Sequence, residues 1–146
     1  MNKDFINREI NKITRCGTLT NLYEIAEANN IIVYEDYWGT TTAGAYHYQY
    51  RMKIIMLNTA LSYFHKMIVL AHEIAHAFLH PYEESNFSLI GLKKDTKEIE
   101  ANYFTCKLLD VIGFWDNDEL CIYETEMSKT DRGFIDTYKN YIKSEI

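Results

Sequence analysis

The chain has 146 residues, 47% hydrophobic and 25% charged, with a formal net charge of −6 and a sequence pI near 5.3. That length fits one domain able to bury a core without staples, and the acidic balance argues against a nonspecific nucleic-acid binder, which needs a basic face to displace counterions. Cys16, Cys106 and Cys121 form no C-x-x-C pair, the N-terminus lacks an apolar signal core, and no apolar run is long enough to span a membrane, so the expected home is the cytoplasm.

Phe5, Ile6, Ile10 and Ile13 recur at helical spacing and predict a first amphipathic helix, broken at "CGT". Leu19, Leu22, Tyr23 and Ala26 mark a second, ending at Asn29 and Asn30. The period then changes: "IIVYE" (31–35), "AYHYQYR" (45–51) and "KIIMLN" (53–58) read as strands, with "WGTTTAG" as a turn or loop. About three strands in a small, twisted, largely antiparallel sheet are expected. Residues 63–80 are helical and apolar on nearly all sides, the pattern of a helix packed around most of its circumference, and Pro81 stops it. Residues 82–94 read as a loop long enough to suspect of a role. Asp95 or Thr96 can cap the next helix, which runs to about Ile112 before Gly113, with Ala101, Phe104, Leu108 and Ile112 as its inner stripe. "FWDNDEL" is a turn, and a last helix is expected over 130–144. Helices segregate from strands, an α+β class. The expectation is a single domain over 1–146, with 114–146 as a helical extension of it.

The apolar run "VLAHEIAHAFLH" (69–80) carries three histidines and a glutamate. Residues four apart on a helix lie nearly above one another, so His72 and His76 can present two nitrogens to one ion, at a separation that suits tetrahedral Zn²⁺. Glu73 lies about 100° around the helix from His72. That places it beside the ion, in reach of a water, as a general base in metal-assisted hydrolysis requires. The bland alternative is that these are satisfied core residues; three ionisable groups within about one turn of a buried helix make that costly. His80 extends the row by a turn. The metzincin pattern asks for glycine where Leu79 stands and histidine where Tyr82 stands, so His80 is expected to support or cap rather than ligate.

A catalytic site needs a third protein ligand and an open position. "KEIEANYFTCKLL" offers Glu98 and Glu100. Glu98 and Asn102 are four apart and share a face, whereas Glu100 points about 200° away from Glu98. Glu98 is favoured over Glu100, with Asn102 free to hydrogen-bond a ligating histidine and fix its ring. Taken alone, Glu98 would read as a solvated charge in a helix's first turn, favoured by the dipole.

"VLAHEIAHAFLH", followed about 20 residues later by "EIEANYFTCKLL", resembles the ImmA/IrrE family of metallopeptidases. That family has H-E-x-x-H with a trailing histidine and then E-x-E-A-N-x-F-A ahead of an apolar helix. "KIIMLN" is similar to the strand preceding its active-site helix. The likeness spans about residues 20–112; Thr105 stands where the family usually has alanine, and the tail after Gly113 carries no distinctive match. The resemblance implies a gluzincin-like zinc peptidase in which His72, His76 and Glu98 bind Zn²⁺ and Glu73 is base and proton shuttle. It also implies a protein substrate, since several members relieve repression by cleaving a helix-turn-helix repressor encoded beside them on a mobile element or prophage.

His65, His80, Tyr82 and Tyr103 are candidates to stabilise the oxyanion, and an extended substrate is expected to add to a sheet edge supplied by "AYHYQYR" or "KIIMLN". The first reading is therefore a cytoplasmic zinc endopeptidase acting on a repressor-type transcription regulator, with no direct nucleic-acid or membrane partner. The rivals are a zinc-site module that grips such a regulator without cutting it, and a metal that merely holds the fold. The sequence leaves oligomeric state open.

Overall fold

A computed structural model describes residues 1–39, 41–88, 96–114 and 136. The elements run α1 (Lys3–Ile13), α2 (Leu22–Ala28), β1 (Ile31–Asp36), β2 (Thr42–Gln49), β3 (Met52–Asn58), α3 (Tyr63–Leu79), β4 (Ser85–Ser88) and α4 (Thr96–Val111). The α+β expectation holds. The turn expected at 114–120 beyond Phe114, the capping role of Asp95 and, apart from Asp136 in a helical conformation, the helix expected over 130–144 lie outside the described residues.

Local signals start the helices. Asn2 accepts the Phe5 N–H at 3.0 Å and caps α1; Asn21 accepts from Tyr23 and Glu24 and caps α2; Ser62 accepts the His65 N–H at 3.3 Å and caps α3. Ile6, Ile10 and Ile13 turn inward, but Phe5 is 43% exposed, because the buried stripe of α1 follows the i, i+4, i+7 rows and residue 5 falls beside it. Leu19 precedes α2 rather than belonging to it.

The sheet is four-stranded and mixed, in the order β1-β3-β2-β4. β1 runs parallel to β3, while β2 is antiparallel to both β3 and β4. Two expectations change. The fourth strand lies in the stretch read as loop, where Ser85–Ser88 pairs with Thr42–Tyr46. The two stretches expected to offer an edge are interior: β3 lies between β1 and β2, and β2 is covered by β4 along Thr42–Tyr46. The edges are β1 and β4.

Ile31, Gly44, Tyr46, Ile55 and Leu57 are buried. An added Cβ on Gly44 would fall 2.7 Å from Val69 Cγ1, so β2 and α3 approach as closely as only glycine permits. α4 packs against α3, where the Phe78 and Phe104 rings stack at 6.0 Å beside the small, fully buried Ala101. α3 is thus held between helix and sheet, which accounts for its near-continuous apolar surface. The buried Thr105 hydroxyl is satisfied within the helix, donating to the Ala101 carbonyl at 2.7 Å. Among the described residues no helix is long and apolar enough to cross a membrane.

Candidate metal centre

Three side chains from two helices meet at one point. His72 and His76 lie one turn apart on α3, and Glu98 comes from the first turn of α4. His72 Nε2 is 2.9 Å from Glu98 Oε2, His76 Nε2 is 3.1 Å from Glu98 Oε1, and the two Nε2 atoms are 3.2 Å apart. His72 and His76 are buried, and the Glu98 side chain is 12% exposed.

These distances fit an enclosed cation. Metal–ligand bonds of about 2.0–2.2 Å in tetrahedral geometry imply ligand atoms roughly 3.3–3.6 Å apart, and the observed triangle is slightly tighter. Its donor chemistry points the same way. Two rings carrying Nε2–H could each donate to their own Glu98 oxygen, whereas rings presenting the Nε2 lone pair, as ligands must, would set three acceptors facing one another at 2.9–3.2 Å. A positive ion satisfies all three atoms at once. It would be held by His72, His76 and Glu98, the group of potential metal ligands found among the described residues.

Electrostatics favour the ligand forms. Burial, the largest effect, lowers the His72 pKa, aided by its neighbour His76 and opposed by Glu98, so the ring stays neutral with a lone pair to give. Burial alone would raise the Glu98 pKa, but hydrogen bonds and attraction from His72 and His76 outweigh it and hold the carboxyl well below the usual range.

The structure brings the other expected residues together in part. Glu73 is fully buried on α3 beside His72. Asn102 is buried and hydrogen-bonds the His72 side chain, as its four-residue offset from Glu98 predicts. Glu100 faces away from the triangle, with Oε2 3.5 Å from His80 Nε2. His80 follows α3, where its N–H donates to the His76 carbonyl at 2.8 Å and caps the helix.

The oxyanion candidates fare differently. His65 lies seven residues before His72, about 10 Å along the helix by the 1.5 Å rise. Tyr103 is turned toward α1, where its hydroxyl donates to Asn7 Oδ1 at 3.3 Å. Tyr82 is exposed and packs edge-on against Tyr48. His80 meets His76 through Nδ1, on the side of that ring away from Glu98. Sequence reasoning missed Tyr46, a buried ring whose hydroxyl donates to the Pro81 carbonyl at 2.6 Å and ties β2 to the exit of α3. Strand alternation was the signal available for it. A cavity of about 250 Å³ lined by Thr20, Tyr23, Tyr63, Met67 and Phe114 shares no residue with the triangle.

A model of the peptidase M78 family, described as the IrrE N-terminal-like domain, matches residues 26–145. The match takes in the sheet, α3 and α4 and continues past Gly113, beyond the resemblance noted in the sequence. The "Uncharacterized immunity region protein 2" of Bacillus phage phi105 is 32% identical over 108 residues, covering 71% of this chain and 67% of that protein. No solved structure matches the chain.

Proposed function

We propose that this chain, which belongs to the peptidase M78 family of IrrE N-terminal-like domains, is a cytoplasmic zinc-dependent endopeptidase that hydrolyses a peptide bond in a repressor-type transcription regulator. The observation that carries the reading is the convergence of His72, His76 and Glu98 within 4.8 Å of one another, with a buried glutamate, Glu73, adjoining a ligand on the same helix. The regulator is suggested by the phage relative, whose name places it in an immunity region.

In this reading His72, His76 and Glu98 hold Zn²⁺, and Asn102 fixes the His72 ring. Zinc bound there would supply Lewis acidity toward the scissile carbonyl and the attacking water. The Glu73 carboxylate takes a proton from the attacking water as the new C–O bond forms. It then delivers that proton to the leaving nitrogen as the C–N bond breaks, so one water is consumed and one carboxyl and one amine are released. Burial keeps Glu73 out of bulk water, which strengthens its interaction with the reacting atoms. The substrate backbone lies as an added strand on an edge of the sheet, and β4, which follows α3 directly, is the edge nearest in the chain.

The test pairs wild type with Glu73→Gln. Both are loaded with Zn²⁺ and incubated with the protein encoded by the neighbouring gene. Wild type should cut it, and Glu73→Gln should bind equal metal and cut at least about 100-fold more slowly. Cutting by both would remove Glu73 from the chemistry, and tight binding without cutting by either would replace the peptidase with a capture module.

A further inference from the structure

His80 is the member of the α3 row that the chemistry above leaves unused. Its ring stands between a proposed ligand and a carboxylate. His80 Nδ1 is 3.3 Å from His76 Nδ1, and His80 Nε2 is 3.5 Å from Glu100 Oε2. Glu100 is the glutamate set aside as third ligand, and its placement against His80 gives it a different use.

Proton positions along this line are not independent. A contact between two imidazole nitrogens needs one N–H and one lone pair. The Glu100 carboxylate only accepts, so His80 carries its proton on Nε2. A neutral ring protonated there has a lone pair on Nδ1 and can only accept from His76. His76 must then donate from Nδ1, which leaves its own lone pair on Nε2, the atom 3.1 Å from Glu98 Oε1. Without a cation, the His76 lone pair faces a carboxylate; with one, every atom in the line is matched.

We propose that Glu100 and His80 form a two-residue relay that holds His76 in the tautomer and ring orientation required of a metal ligand. The inference rests on reading His72, His76 and Glu98 as a metal site, and assigns His80 and Glu100 as positioning residues for it. The two histidines are then held by separate means: His72 by the Asn102 amide, His76 by an imidazole that is itself oriented by a carboxylate. Partners that orient ligating histidines typically contribute 10–100-fold to metal affinity.

The experiment measures the Zn²⁺ Kd of the full chain by competition with a chromogenic chelator, together with the visible spectrum of the Co²⁺-loaded protein. His80→Leu should weaken Zn²⁺ binding by roughly 10–100-fold and shift the Co²⁺ bands. His80→Asn, whose amide oxygen can accept near the place of Nδ1, should restore most of both. Glu100→Ala should weaken binding severalfold in the wild-type background and add nothing to His80→Leu. Wild-type affinity in His80→Leu, or full additivity of the two losses, overturns the relay alone. Failure of the wild-type chain to bind Zn²⁺ or Co²⁺ overturns the relay and the metal site together. Should His80→Leu not fold, long-range proton–nitrogen NMR on the Zn²⁺-loaded wild type decides: a proton on His80 Nε2 supports the relay, and one on Nδ1 overturns it.

Discussion

Glu98 Oε2 lies 2.9 Å from His72 Nε2 across 26 residues of chain, while Glu100, two residues further along the same helix, faces His80 instead. The two glutamates should therefore separate cleanly in metal binding. Glu98→Ala removes one of the three proposed ligands and should reduce bound Zn²⁺ below detection at micromolar protein. Glu100→Ala should still bind one ion per chain, more weakly by a small factor. Metal analysis after gel filtration reads both. Loss of metal in Glu100→Ala with retention in Glu98→Ala would exchange their roles.

The candidate site's placement was legible because its geometry is local. His72 and His76 are one turn apart on a helix whose apolar run left no doubt of its type, and Glu98 and Asn102 repeat that offset on the next helix. The contact of Glu100 with His80 was not legible, because it depends on how α3 and α4 cross, which helical spacing does not fix. The placement of Tyr103 was not legible for a related reason: a tyrosine beside Asn102 in sequence points to α1 in space. In the sheet, alternation located three strands. The fourth, "SNFS", has one apolar residue and becomes a strand because β2 offers it an edge, a context that propensity does not carry. The parallel pairing of β1 with β3 depends on order in the sheet, which no single strand records.

Gly44 sets how closely β2 can lie on α3. A methyl group there would meet Val69 Cγ1 at 2.7 Å and the Met56 carbonyl oxygen at 2.9 Å. The second contact is with backbone and cannot be relieved by a rotamer change. Gly44→Ala should cost about 1–3 kcal/mol of stability, read as a lower denaturation midpoint. Wild-type stability would mean that the strand yields more easily than its pairing with β3 and β4 implies.

Tyr46 connects pH to the same region. Burial first, then the neighbouring Tyr48 and Tyr82, raise its pKa to about 12. An unfolded tyrosine titrates near 10, so between these values the folded state keeps a proton that the unfolded state has lost. The stabilisation is fully present below pH 10 and is lost as pH rises through 12. Tyr46→Phe removes the bond to the Pro81 carbonyl, which should cost about 0.5–1.5 kcal/mol at neutral pH. The variant should also destabilise less steeply between pH 10 and 12. Equal slopes for wild type and variant in that window would show that Tyr46 ionises like an exposed phenol.

The turn between β2 and β3 is built from the wrong residues for its shape. Gln49 pairs with Met52, leaving a two-residue loop of Tyr50 and Arg51, with φ of 52° and 62°. Positive φ at both positions is the signature of a type I′ turn, which Asn-Gly serves best. A side chain in the left-handed region costs roughly 1–2 kcal/mol per residue, with asparagine and glycine the usual exceptions. The Tyr50 ring is 84% exposed, so little packing is lost with it. Tyr50→Asn with Arg51→Gly should therefore raise stability by about 1 kcal/mol or more and leave the Zn²⁺ Kd unchanged, since neither residue belongs to the ligand triangle or its supports. A denaturation midpoint at or below wild type would mean that Tyr50 or Arg51 makes a contact worth as much as the strain it bears.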